Sequence, residues 1–140
     1  MSSVSFASEQ TDFTVSDQKR LIAWFVLVTH AENRTLSELA FIFCSDEYLL
    51  DINKRFLSHD YYTDVITFDY SESNYTSGDV FISVDRVSDN AKLANQTTEN
   101  ELHRVMVHGV LHLLGYKDKT SAEKSEMTSK EDFYLTLRAF

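Results

Sequence analysis

Length, composition and charge exclude several classes of protein before any motif is considered. The chain has 140 residues, with 22 acidic and 13 basic side chains, a formal net charge of −9 and no proline. Most nucleic-acid binders neutralise phosphates with a broad basic surface, so any nucleic-acid role of this acidic chain must rest on a local site. The single cysteine, Cys44, excludes an internal disulfide framework and a zinc site built from several cysteines.

The same numbers indicate one cytoplasmic domain over residues 1–140. An apolar fraction of 43% is ordinary for a globular protein. The first residues show neither the basic nor the apolar segment of a secretory signal. The longest apolar run, residues 21–28, is far shorter than the roughly twenty residues that a membrane span needs. We therefore expect no membrane partner.

Periodicity and capping signals predict a single mixed unit of strands and helices. Strands are expected at 4–7, 39–44, 64–70 and 79–84, with a hairpin loop over the polar stretch SESNYTSG. Helices are expected from an N-cap at Ser16 to about 33, from an N-cap at Ser45 to about 56, and over 85–95, 99–114 and 121–137. Segment 99–114 is apolar nearly all round and should be buried, with Gly115 ending it as a left-handed cap.

Two histidines in the predicted buried helix carry the chemistry. His108 and His112 are four residues apart, so both imidazoles project from one face, either as core histidines bonded to carbonyls or carboxylates or as metal ligands. Gly115 and Asp118 extend the pattern to H-x3-H-x2-G-x2-D, in which the glycine turns the chain so that Asp118 can reach a third ligand position. Three protein ligands leave one position open, which is typical of catalytic zinc. We expect one divalent metal ion per chain, with zinc as the first choice.

Neighbouring residues restrict what such a site can do. In H-E-x-x-H peptidases a glutamate base follows the first histidine, and this chain has Gly109 there. A glycine inside a helix costs about 1 kcal/mol, which indicates close approach of another backbone or of a substrate. Glu101 could orient an imidazole or could simply favour the helix N-terminus. Arg104 could direct an anionic substrate group towards the metal or form a surface ion pair.

The other histidines are not expected to bind the metal. His103 lies about 140° around the helix from His108. His30 and His59 are interpreted as loop or surface residues.

Three segments together resemble one known family. VHGVLHLLGYKD, at residues 107–118, resembles the H-G-x-L-H-L-x-G-Y-D-H signature of the YbeY family of metal-dependent endoribonucleases, which act in ribosomal RNA maturation. HDYYTDVITF, at 59–68, resembles the family's D-x-P-T-D-V-L-S-F block, and SGDVFISVDRV, at 77–87, resembles its L-G-D-I-x-I strand. The three segments occur in the family's order.

The resemblance implies an α+β fold in which a small mixed β-sheet is packed by helices, one of them the buried metal-binding helix. It implies a zinc ion held by three side chains, cleavage of single-stranded RNA in 16S ribosomal RNA 3′ end maturation, and the ribosome or its proteins as partners, with no role on DNA. His108 and His112 match the first two ligands. Asp118 stands at the third histidine when no gap is allowed, whereas a one-residue insertion would put Lys119 there. Carboxylate oxygen is a normal zinc ligand and lysine a poor one, which favours Asp118; its added charge favours harder ions.

A second departure leaves the catalytic residues unassigned. The family has an arginine after an aromatic residue shortly before the D-x-P-T-D block, and here Leu57 follows Phe56. Arg55 is close in sequence, but on a helix it lies about 200° from Leu57, so the catalytic role is not carried over to it. This departure keeps open a non-catalytic, ribosome-associated assembly factor; a zinc peptidase is less favoured.

Basic residues around the metal helix leave room for a compact cationic mouth. They are Arg104, Lys117, Lys119, Lys124 and Lys130. We expect weak, salt-sensitive affinity for naked RNA, with specificity supplied by a ribosomal or protein context.

Overall fold

Strands and helices alternate along most of the chain in the computed structural model, which describes residues 3–138 and 140. In chain order these residues form β1 (Ser3–Glu9), α1 (Gln18–Ala31), β2 (Thr35–Cys44), α2 (Asp46–Leu57), β3 (Val65–Asp69), β4 (Tyr75–Ser83), α3 (Val84–Leu93), α4 (Thr98–Leu113) and α5 (Ser121–Thr136). The α+β class expected from the sequence is confirmed.

The strands form one mixed sheet in the order β1-β2-β4-β3. β1, β2 and β4 are parallel, and β3 runs antiparallel to β4 with Thr67 opposite Val80. β2 and β4 begin at Thr35 and Tyr75, earlier than expected. The first residues of these two strands pair with each other, as Thr35 does with Tyr75. The turn between β3 and β4 is therefore shorter than the predicted hairpin loop.

Helix α4 is the centre of the larger core, as its sequence predicted. Nine of its residues are buried, and it packs on β3, β4, α3 and α5. A Cβ atom on Gly109 would lie 2.6 Å from Val80 Cγ1, so only glycine lets the helix lie this close to the sheet. The close neighbour is a side chain of β4, and the expectation of a backbone or a substrate at Gly109 was wrong.

A smaller apolar cluster lies beneath α2. Cys44, Leu49 and Ile66 form its buried part, with Phe68 and Phe81 packed against it. This packing sets α2 beside β3.

Helix starts follow the capping chemistry with one exception. The side chain of Ser45 accepts a hydrogen bond from the backbone N–H of Tyr48, as expected, and Thr120 forms a reciprocal capping box with Glu123. The expected cap at Ser16 is wrong, because Asp17 precedes α1 in a left-handed conformation (φ 59°) and makes no side-chain cap bond. Within residues 3–138 and 140, no helix is long and apolar enough to cross a membrane.

Candidate metal centre and cleft

The end of α4 brings together the three residues that the motif predicts as metal ligands. Gly115 has φ 105°, its N–H donates to the carbonyl of His112, and the N–H of Tyr116 donates to the carbonyl of Leu111. These two bonds are the Schellman pattern, which closes a helix and reverses the chain. The reversal carries Asp118 back alongside the last turn of α4.

Three side-chain atoms converge on one point. His108 Nε2 lies 3.0 Å from His112 Nε2, and Asp118 Oδ2 lies 3.2 Å from the first and 3.3 Å from the second. A tetrahedral zinc ion with bonds of 2.0–2.1 Å separates its ligand atoms by about 3.3 Å. The triangle therefore has the size that a zinc ion requires, and these three residues form the group that could hold a metal ion within the described part of the chain.

Hydrogen bonds fix which nitrogen of each imidazole faces that point. His108 Nδ1 lies 2.6 Å from Glu131 Oε2, and His112 Nδ1 lies 3.0 Å from the backbone carbonyl of Tyr116. A carboxylate and a carbonyl both accept, so each Nδ1 carries the proton and donates it. Each neutral ring then aims its Nε2 lone pair at the same point, beside a carboxylate oxygen. Such an arrangement needs positive charge at its centre, and the donor set fits a zinc ion.

Burial and neighbouring charges move the pKa values of the two histidines in opposite directions. Burial disfavours the charged form of His108, but the hydrogen bond and charge of Glu131 outweigh it, and the pKa is raised. Burial and the adjacent charge of His108 lower the pKa of His112.

Glu131 is a functional residue that the sequence analysis missed. It lies on α5, is 7% exposed, and accepts a hydrogen bond from Arg104 Nη1 at 2.8 Å through its second oxygen. Arg104 also donates to Asp132, at 2.6 Å. Of the two roles considered for Arg104, the ion pair is the one observed. The guanidinium charge of Arg104 is paired with carboxylates on α5. It does not face the point on which His108, His112 and Asp118 converge, which is called the metal point below.

Of the two roles considered for Glu101, its position in the first turn of α4 is the one observed, and the carboxylate that contacts an imidazole comes from α5 instead. Glu131 occupies the role suggested for Glu101, whose partial burial raises its own pKa. A signal for Glu131 is present in the sequence, because it stands between Met127 and Tyr134 on the buried stripe of α5. A charged residue at a core position requires a partner.

The turn that bears Asp118 is fastened to two helices. The hydroxyl of Tyr116 donates to Glu32 Oε1 at 2.6 Å, and Tyr134 and Lys130 donate to the other oxygen of the same carboxylate. Burial opposes ionisation of Glu32, but these donors outweigh it and its pKa is lowered. Asp118, the third predicted ligand, is thus held by tertiary contacts as well as by the Schellman turn.

A cleft of about 290 Å³ opens over the metal point. One wall carries His108, His112 and Asp118, and the other is formed by the end of α2, the segment 58–64 and β3. The residues that line the second wall are Asn53, Leu57, His59, Tyr61, Thr63, Asp64, Val65, Ile66 and Thr67. Leu57, the residue at the family's arginine position, is therefore in the cleft.

The lining is acidic rather than basic. No lysine or arginine belongs to it among residues 3–138 and 140, while Asp64 and Asp118 do. Lys130 is engaged by Glu32 at 3.3 Å. Arg55 pairs with Asp51 at 3.0 Å on the exposed side of α2. The cationic mouth considered from the sequence is thus absent from the described lining, and neither Arg55 nor Arg104 takes the place of the missing arginine.

The remaining histidines fall in three different environments. His103 is buried on the far side of α4, where its Nδ1 accepts from Arg138 at 2.8 Å, and it does not approach the metal point. His30 is exposed near the end of α1. His59 is exposed, as expected, but it also lines the cleft.

A family model and individual relatives of this chain all point to the same family. The profile described as endoribonuclease YbeY matches residues 4–138. A protein of Cytophaga hutchinsonii named endoribonuclease YbeY is 51% identical, over 98% of this chain and 96% of its own length. Its namesake from Flavobacterium johnsoniae is 47% identical over 88% of each chain.

A solved structure agrees with the fold. The solution structure of TM1509 from Thermotoga maritima superposes with a TM-score of 0.66 at 26% identity, covering 94% of this chain and 86% of the other.

Proposed function

Because the chain belongs to the YbeY family of endoribonucleases, we propose that it is a zinc-dependent enzyme that cleaves single-stranded RNA. The observation that supports the proposal most strongly is the triangle of His108, His112 and Asp118 atoms, with edges of 3.0–3.3 Å, at the floor of an open cleft. A closed structural site would have a fourth protein ligand, and this one opens onto space that a phosphodiester can enter.

A divalent cation held there would polarise a phosphoryl oxygen and make a bound water molecule more acidic. The chain's own contribution is positional. Glu131 and the Tyr116 carbonyl keep the two Nε2 lone pairs aimed at one point, and the fastened turn keeps Asp118 beside them. Asp64 adds a carboxylate on the opposite wall that is not one of the three proposed ligands and could accept a proton from water.

Because the family's arginine is replaced by Leu57, negative charge on the reacting phosphate must be stabilised by other groups. Leu57 contributes no charge to the cleft, and the described lining contains no lysine or arginine. Negative charge that develops on the phosphate must therefore be stabilised mainly at the metal-binding point. We expect metal removal to abolish cleavage rather than weaken it.

The biological substrate proposed is ribosomal RNA in the cytoplasm, with the whole chain acting as one catalytic domain and the ribosome or its proteins as partners. An acidic chain with a formal charge of −9 and an acidic cleft has little general attraction for RNA. A ribosomal context would supply the local concentration and the choice of cleavage site that the cleft alone does not.

The direct test compares His112→Ala with wild type and with His30→Ala, a matched removal of an exposed histidine outside the cleft. Metal content by mass spectrometry and cleavage of a single-stranded oligoribonucleotide are measured on the same preparations. We expect His112→Ala to lose both and His30→Ala to keep both. Full metal content with unchanged cleavage in His112→Ala would refute the proposal.

One observation favours a second candidate function. The apolar Leu57 in the cleft is compatible with a non-catalytic assembly factor that binds the ribosome and uses its metal only for structure. Chelator-sensitive cleavage by the pure protein supports the enzyme. Ribosome binding without any chelator-sensitive cleavage supports the assembly factor.

A further inference from the structure

We infer that the rings of His59 and Tyr61 form a stacking platform for an unpaired base of the RNA whose phosphate lies at the metal centre. The inference rests on the proposed function and names how its substrate is held. It concerns the wall of the cleft opposite the metal-binding residues.

The two rings are already arranged as a stack. Their centroids are 5.1 Å apart with an angle of 19° between the planes, and the Tyr61 hydroxyl lies 2.9 Å from His59 Nδ1. Both residues line the same cleft as His108, His112 and Asp118. Tyr61 is 55% exposed, so much of its surface is available to a ligand.

The segment that carries these rings is held in place from beneath. Asn53 is 1% exposed, and its side-chain amide donates to the Tyr61 carbonyl at 2.9 Å. The His59 N–H donates to the Asn53 carbonyl at 3.1 Å. Next in the chain, the Tyr62 hydroxyl donates to Glu47 at 2.6 Å. A base that stacks on Tyr61 therefore meets a preorganised ring, and little conformational entropy is lost on binding.

Charge on the cleft walls favours stacking over phosphate contacts as the source of affinity. Ion pairs with phosphates need lysine or arginine, and the described lining has neither, while Asp64 adds a negative charge. Stacking of a base on an aromatic side chain contributes about 1–3 kcal/mol and tolerates any base, because every base has a π-face. Bases in a duplex are already stacked on each other, so the platform selects single strands.

The test mixes the zinc-loaded full chain with a short single-stranded oligoribonucleotide that contains 2-aminopurine, whose fluorescence is quenched by stacking, and records the fluorescence by stopped flow before cleavage proceeds. Tyr61→Leu removes the ring, and Tyr61→Phe keeps it without the hydroxyl. Tyr75→Leu is the matched control, because Tyr75 is 56% exposed and does not line the cleft. His59→Leu removes the second ring independently.

We expect quenching in wild type, Tyr61→Phe and Tyr75→Leu. Tyr61→Leu should lose the quenching and bind the RNA about 5- to 150-fold more weakly, the equivalent of one stacked base. His59→Leu should weaken binding in the same direction, and zinc content should stay at the wild-type value in all variants.

The outcomes separate this inference from the function on which it rests. Absence of quenching in wild type, or equal affinity of Tyr61→Leu and Tyr75→Leu, would overturn the platform even if RNA is cleaved. Quenching that depends on Tyr61, in a protein that never cleaves RNA, would support the platform and refute the endoribonuclease.

Discussion

The two walls of the cleft are built on different physical principles. On the histidine wall, which carries the three predicted metal ligands, the side chains of His108 and His112 are 20% and 26% exposed, and each imidazole donates a hydrogen bond from Nδ1 to a partner behind it. On the opposite wall Leu57 and Tyr61 are 40% and 55% exposed, and their side chains present apolar surface. The first wall holds ligand atoms at the spacing that a metal ion would require, whereas the second wall exposes apolar surface that a bound ligand could cover.

The difference extends to charge. Arg104 lies behind the histidine wall, and its guanidinium is paired with Glu131 and Asp132. The opposite wall has no lysine or arginine in the described lining. A substrate anion therefore finds positive charge at the metal point alone, and changes on the two walls should have separable effects on metal binding and on RNA binding.

Among changes outside the three predicted ligands, Glu131→Gln should have the largest effect on metal affinity. The amide keeps the size of the side chain but loses the charge that orients His108 Nδ1, and loss of such a partner lowers metal affinity by about 10- to 100-fold. Asp132→Asn is the control, because Asp132 is exposed and shares Arg104 without touching a histidine. Zinc titration against a competing chelator measures both; equal affinities would mean that Glu131 does not tune the site.

The pH dependence of the protein's stability should depend on His103, which lies on the face of α4 opposite the two site histidines. Burial and the charge of Arg138 lower the pKa of His103 to about 4, against an ordinary value of 6.5. Between these values the unfolded chain binds the proton and the folded chain does not, so stability falls as pH decreases from about 6.5 towards 4.

The expected loss is about 1–2 kcal/mol between pH 6.5 and 5. His103→Gln keeps an acceptor for Arg138 and should remove this contribution. Urea denaturation at both pH values measures it, and a wild-type loss no larger than that of His103→Gln would contradict the buried neutral histidine.

Leu57→Arg should have the smallest effect, and the quantity that it changes should be the affinity for RNA. The new guanidinium would place one positive charge on the wall that lacks it, so binding should tighten a few-fold and the salt dependence should steepen by about one phosphate contact. Leu93→Arg adds the same charge at a residue that is 87% exposed on α3 and outside the cleft lining. Identical salt slopes for the two variants would show that Leu57 does not face the bound RNA.

Local signals in the sequence were sufficient for much of the fold and for the proposed ligand set. The family resemblance is confirmed, and the buried helix and its glycine cap are observed. Spacing alone brought Asp118 to the two histidines, because one helical turn and a Schellman reversal are short-range geometry. The identity of these residues as ligands stays a prediction.

Long-range contacts account for what the sequence could not predict. Glu131 reaches His108 across 23 residues, and only the packing of α5 on α4 decides which carboxylate does so. His59 and Tyr61 face the cleft because the buried Asn53 binds the segment they belong to. The prediction of a cationic mouth was wrong for the same reason. Sequence spacing could not show that Arg104 and Lys130 form ion pairs with carboxylates elsewhere in the fold.

X-ray absorption spectroscopy of the zinc-loaded chain tests the central claim most directly. We predict one zinc ion per chain, surrounded by nitrogen and oxygen atoms that include two imidazoles, with no sulfur, and a loss of this signal in Asp118→Ala. A sulfur ligand, or an unchanged spectrum and zinc content in Asp118→Ala, would contradict the assignment of His108, His112 and Asp118 as the metal site.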